Sequence, residues 1–222
     1  MSVPARRLRR DARLAGLLGA ASLVAAMLWW RRHPSACPYS QRFWLEPPHP
    51  LITRARLREI LEPQLGERIL EIGPGTGYYT LPLAEWIGPH GRLDILDLQQ
   101  EMLDDTMRRA RGRGLSNITP TCADAQLLPY PDGTFDAVVL VTTLGEIPDQ
   151  DTAFREMARV LKPEGRIVNG ELFGDPHWVS PGAAERRASA AGLGSHRRLG
   201  PQAGYFGRHE RALTTKPAQS RS

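Results

Sequence analysis

The run Arg68-Ile69-Leu70-Glu71-Ile72-Gly73-Pro74-Gly75-Thr76-Gly77 constrains the fold more than any other stretch of the chain. Its mostly apolar first half reads as a short buried strand, bounded by turn residues. The glycines that follow let the backbone turn tightly and come close to a ligand at the strand's end, where open α/β sheets bind their cofactors. The spacing is G-x-G-x-G. A dinucleotide loop needs G-x-G-x-x-G, and Tyr78 stands where its last Gly or Ala belongs, so an NAD-type site is disfavoured.

The rest of the chain alternates between strand and helix patterns. Helices are expected at 53–61, 78–87, 99–111, 151–161 and 181–191, and strands at 68–72, 92–98, 118–122, 135–141 and 166–172. Residues 205–213 would supply one strand of a closing hairpin. Strands alternating with helices require crossover connections, so the expected fold is α/β, with a doubly wound, mostly parallel sheet. Cys122 falls in a strand read as buried and lies far from Cys37, the other cysteine, so no disulfide framework is indicated; the six histidines are scattered, and no metal is expected.

Two carboxylates follow later strands in the same relative position as the glycines. Asp97 ends the second strand, 20 residues beyond Gly77, where it can accept hydrogen bonds from both hydroxyls of a ribose. Asp124, in Ala123-Asp124-Ala125, follows the third strand and can accept from an adenine amino group.

With these residues in view, ILEIGPGTGYYTLPLAEWIGPHGRLDILDLQQEMLDDTMRRA, ADAQLLPYPDGTFDAVVLVTTLGEIPD and REMARVLKPEGRIVNGEL together resemble a class I S-adenosylmethionine-dependent methyltransferase. The likeness is to the broad group that includes ubiquinone/menaquinone-biosynthesis and phospholipid methyltransferases, and it spans roughly residues 50–175. It implies a Rossmann-like fold with S-adenosyl-L-methionine as cofactor. Glu71, Gly73, Gly75, Thr76 and Gly77 would surround the methionine part, Asp97 would hold the ribose, Leu98 and Met102 would lie near the adenine, and Asp124 with the Ala125 amide would read its edge. Quinone methyltransferases usually carry Arg-Asn after the fourth strand where this chain has Gly145-Glu146, a departure from the quinone pattern.

Methyl transfer from a sulfonium is an in-line displacement in which the protein mainly aligns donor and acceptor. A hydroxyl or carbon-acid acceptor also needs a base, for which Glu146, Glu171 and His177 are the candidates, while Tyr39, Trp44, Tyr78 and Tyr79 are candidates to wall the acceptor pocket. The competing reading is a regulatory or assembly protein that binds the cofactor without turnover.

Charge and hydropathy bear on partners. Residues 1–45 carry a net +7 and 183–222 a net +6, leaving about −8 on the region between them. An acidic centre repels phosphate backbones, so no nucleic-acid partner is expected. Residues 14–30 are a 17-residue run without a charge, flanked by arginines and ending in Trp29-Trp30. As a helix it would reach about 25 Å, slightly less than a ~30 Å hydrocarbon layer, so the run reads as a membrane anchor. The arginine excess before it predicts an inside N-terminus and an outside domain. Use of a cytosolic donor argues instead for a membrane-associated domain in the cytoplasm, the helix spanning or lying in one leaflet. The expected organisation is an anchor helix at 1–32, a linker or cap at 33–52, the methyltransferase domain at 53–213 and a disordered tail at 214–222. The expected acceptor is a small molecule or lipid, and the sequence leaves the oligomeric state open.

Overall fold

The computed structural model describes residues 34–41 and 49–211, with Gly16, Gly19 and Ser22, which are helical. Apart from those three positions the expected anchor at 14–30 lies outside the described residues, as does the tail at 214–222. No helix among the described residues is long and apolar enough to cross a membrane. The architecture is that of the unit Ser35–Ser222.

Its elements are α1 (Arg54–Leu61), β1 (Arg68–Ile72), α2 (Thr80–Ile87), β2 (Arg92–Asp97), α3 (Gln100–Gly112), β3 (Ile118–Cys122), β4 (Phe135–Val141), α4 (Gln150–Val160), β5 (Leu161–Leu172), α5 (Pro181–Ala190), β6 (Leu193–Leu199) and β7 (Gly204–Arg211). Seven strands form one sheet in the order β3-β2-β1-β4-β5-β7-β6. Five run parallel, and β7 pairs antiparallel with both β5 and β6. The order reverses between β1 and β4, which opens a crevice beyond their carboxyl ends.

Alternation along the strands fills two cores. Leu70, Val138, Leu140 and Ile167 face Phe154, Met157, Ala184 and Ala188 of α4 and α5. Ile69, Ile95, Val139 and Val168 face Leu57, Leu61, Leu83 and Leu103 of α1, α2 and α3. Both faces of the sheet are thus covered, which is why the central strands read as almost unbroken apolar runs.

Several details differ from the sequence expectation. The second helix begins at Thr80 rather than Tyr78, because Pro74–Gly77 close a turn, Gly77 N–H donating to the Pro74 carbonyl at 2.9 Å. The fifth strand begins at Leu161: Phe135 pairs with Leu161 and Ala137 with Arg166, so the intervening residues bulge out opposite Asp136. Cys122 is exposed, since β3 is the edge strand and alternate residues on it turn outward.

Candidate active site

The crevice at the β1/β4 crossing is a cleft with about 920 Å³ of open space including its mouth. Its floor depends on one close approach. Gly73 has φ +68°, and a Cβ there would lie 2.4 Å from the Thr143 hydroxyl and 2.5 Å from its methyl, so only glycine lets the loop after β1 meet the loop after β4. The Gly73 amide donates to Leu96 O at 2.8 Å, tying the loop to β2. Thr106 Oγ1 donates to Gly75 O at 2.9 Å from α3, and Gly77, with φ +84°, lets Thr106 pack against it. On the β4 side Thr142 holds φ 52°, an uncommon angle for a residue with a side chain, and its amide donates to Gly170 O at 2.7 Å.

The cleft is acidic. Asp97, Asp124 and Glu146 line it, and among its described lining residues His49 is the one with a basic side chain, its pKa lowered by burial. Asp97 accepts from the Gln99 amide at 2.9 Å, yet burial pushes its pKa up to about 6. Glu71 lies beneath the glycine loop. Burial and the nearby Asp97 charge raise it to about 7, and the Thr80 hydroxyl offsets only part of this. Its Oε2, like the buried Thr76 hydroxyl, has no hydrogen-bond partner among the described residues. Glu146, on the short helical turn Leu144–Glu146, is raised to about 8 by burial and then by Asp175 and Asp97, with the Cys37 backbone opposing. Such a cluster favours a cation in its midst, because each carboxyl ionises more readily beside a positive charge.

Sequence reasoning missed two glutamines. Gln99 Nε2 donates to Cys37 O at 2.8 Å and its Oε1 accepts from Tyr39 N–H at 3.0 Å, which seats the segment 36–39 at the cleft with Ala36 and Cys37 in its lining. The Cys37 thiol, half-buried beside Glu146, Asp175 and Asp97, is pushed up to about 11. Gln126 donates through Nε2 to both Asp124 oxygens, at 3.1 and 2.9 Å, and accepts from the Asp149 amide at 3.0 Å, joining the loops after β3 and β4. No local motif marks either glutamine; an amide two residues after a carboxylate at or beyond a strand end was the only available hint.

Of the residues singled out from sequence, Gly73, Gly75, Thr76, Asp97, Leu98, Met102, Asp124, Ala125 and Glu146 line the cleft, as do Tyr78 and Tyr79. Gly77 and Glu71 sit behind its wall. Glu171 and His177 do not line it. Glu171 is buried, accepts from Val179 N–H at 3.2 Å and has its pKa raised well above the ordinary value by burial; Asp175 accepts from the His177 amide at 2.7 Å. Tyr39 is absent from the lining, and Trp44 lies outside the described residues.

Residues 69–165 match the family model of a methyltransferase domain. A ubiquinone/menaquinone biosynthesis C-methyltransferase (UbiE) of Cellvibrio japonicus is 40% identical over 113 residues, covering 50% of this chain and 45% of that protein. A demethylmenaquinone methyltransferase of Anoxybacillus flavithermus is 38% identical over 105 residues, 47% of this chain and 44% of its own. The chain thus spans about half the length of the curated relatives it matches. Among solved structures, a SAM-dependent methyltransferase of Aquifex aeolicus superposes with a TM-score of 0.71 at 21% identity, covering 78% of this chain and 98% of its own. The [4+2]-cyclase SpnF superposes at 0.60 with 27% identity, covering 66% of this chain and 57% of its own.

Proposed function

We propose that the chain, whose residues 69–165 match the family model of a methyltransferase domain, is a class I S-adenosylmethionine-dependent methyltransferase acting on a small, lipophilic acceptor near a membrane. One observation carries this reading: the glycine loop, Asp97 and Asp124 come from three different strand ends and line a single acidic cleft. That donor set suits S-adenosylmethionine, whose charge calls for carboxylates and whose ribose calls for an acceptor pair. When bound, the cofactor supplies a methyl group already activated by its sulfonium.

The chain's own residues then orient and exclude water. Asp97 would accept from the ribose hydroxyls, Asp124 and the Ala125 amide would take the adenine edge, and Leu98 and Met102 would cover its faces. Glu71, behind the wall, and the Thr76 hydroxyl, both buried and under-partnered, would serve the methionine end. Glu146 is the base: its carboxylate takes the proton that a hydroxyl or carbon acid loses as its oxygen or carbon gains the methyl. With a pKa of about 8 it holds a proton through much of the neutral range, and a cation in the cleft favours its ionised form. Glu171 and His177, outside the cleft lining, act on Glu146 and its loop and not on the acceptor.

Two features favour a lipophilic acceptor: the apolar, arginine-flanked run at 14–30, which would hold a cytoplasmic domain beside the bilayer, and relatives named for quinone methylation. Gly145-Glu146 in place of the quinone enzymes' Arg-Asn argues for an acceptor outside the quinones.

The test combines calorimetry with label transfer. Wild type binds S-adenosylmethionine, and Asp97→Ala weakens binding by about 10- to 100-fold, the usual worth of hydrogen bonds to a charged acceptor. Methyl-labelled cofactor incubated with membranes transfers label to the lipid extract. Because a [4+2]-cyclase shares this fold, the decisive readout is label in product. Binding without any product, or label confined to protein or RNA, refutes the proposal.

A further inference from the structure

The acidic cleft has a basic neighbour on the other side of its glycine loop. A second groove, with about 900 Å³ of open space including its mouth, is lined by Arg54, Arg109 and Arg113 and, among the described residues, by no carboxylate. Thr76 and Tyr78 belong to both walls, so the two sites are one residue apart. We propose that this groove binds a phosphate group, carried by a lipid headgroup or by a free phosphate compound.

The arginines converge from two helices that cover the same face of the sheet. Arg54 opens α1; Arg109 lies in the last turn of α3 and Arg113 caps its end. Arg54 is held in place twice: its Nε donates to Tyr78 O at 3.0 Å, and its guanidinium lies 4.0 Å from the Tyr78 ring centroid. A guanidinium fixed in this way has already lost the freedom that binding would otherwise remove. Arg109 lies within 3.6 Å of the buried Asp105, which holds it at the groove, and Arg113 makes a long pair of 3.6 Å with the half-exposed Glu85. Three positive groups in one concavity focus a potential that attracts oxyanions, and the planar fork of each matches two phosphate oxygens. The exposed Arg108 and Arg111 on α3 extend the same field. At Gly112, which lines the groove, an added Cβ would meet nothing within 4 Å, so there is room for a ligand at the centre of the arginine group.

This site is independent of methyl transfer, and its test reads binding alone. Full-length protein is titrated with inorganic phosphate by calorimetry, and co-floated with vesicles of phosphatidylglycerol and phosphatidylcholine against vesicles of phosphatidylcholine only. The variants are Arg113→Gln, whose partner Glu85 is solvated, and Gly112→Asp, which sets a competing carboxylate in the groove while every arginine stays. The basic N-terminal segment is unchanged in both, so the difference from wild type isolates the groove. We expect each variant to weaken binding by about tenfold in at least one arm, the loss of a charge-assisted hydrogen bond. Loss in the phosphate arm identifies a free phosphate compound as the ligand source, and loss confined to the vesicle arm identifies a headgroup. Equal binding by wild type and both variants in both arms, or no binding in either, overturns the inference.

Discussion

Replacing Gly73 by alanine probes the joint on which the cleft rests. The new methyl would sit 2.4 Å from Thr143 Oγ1 and 2.5 Å from its Cγ2, on a backbone with φ +68°. The left-handed angle costs an L-residue about 1–2 kcal/mol. The overlap, relieved only by moving Thr143 out of its rotamer, costs roughly 1–3 kcal/mol more. Gly73→Ala should therefore destabilise the protein by about 3 kcal/mol in urea denaturation followed by circular dichroism. Thr143→Ala alone removes the bond from Thr143 Oγ1 to Val141 O, 3.0 Å long, worth about 1 kcal/mol. In the Gly73→Ala background the same change also removes both close atoms and leaves only the Thr143 Cβ, at 3.0 Å. The double variant should then be more stable than the sum of the single effects by roughly 1–3 kcal/mol, the signature of coupled neighbours. If the two effects add to within about 0.5 kcal/mol, the approach of the two loops is not what requires glycine, and the account of the cleft floor is wrong.

Other substitutions test the remaining parts. Glu146 has a folded pKa of about 8 against an ordinary 4.5, so it contributes stability at low pH that is lost as pH rises through 8. Glu146→Gln should flatten the decline in melting temperature between pH 5 and 9 relative to wild type; an unchanged slope would mean that the carboxyl is not so perturbed. Gln99→Leu removes both bonds to Cys37 and Tyr39, so hydrogen exchange at the Tyr39 amide should accelerate by about tenfold while global stability falls by no more than ~1–2 kcal/mol. Unaltered exchange there would show that another contact seats the segment. Arg166, 7% exposed, donates to both Glu67 oxygens at 2.8 Å, and Arg166→Met should cost about 3–5 kcal/mol by leaving Glu67 without a counter-charge. Thermal unfolding reads this directly, and a loss below ~1 kcal/mol would reassign the pair as solvated.

Much of this was legible from sequence because it depends on local pattern. The strand at 68–72, the glycines after it and the acids closing β2 and following β3 are marked by period, spacing and turn chemistry, and parallel topology then carries them to the same edge. Cys122 was misjudged because burial on β3 depends on which strand ends the sheet, a property of strand order and not of the strand. The separation of Glu146 from Glu171 and His177 was equally hidden. Glu171 closes β5 and Glu146 and His177 follow late strands, but only the short turn Leu144–Glu146 reaches the cleft.

Charge shows the division most clearly. Summed along the chain, the central region is acidic, and the sequence determined that much along with the glycine loop and the class of fold. Only the tertiary structure separated that charge into an acidic cleft and an arginine-lined groove on either side of Thr76 and Tyr78, because Arg54 and Arg109 are more than 50 residues apart until α1 and α3 pack on the same face of the sheet. Electrostatic attraction depends on distance in space, and sequence separation carries no record of it until the chain has folded.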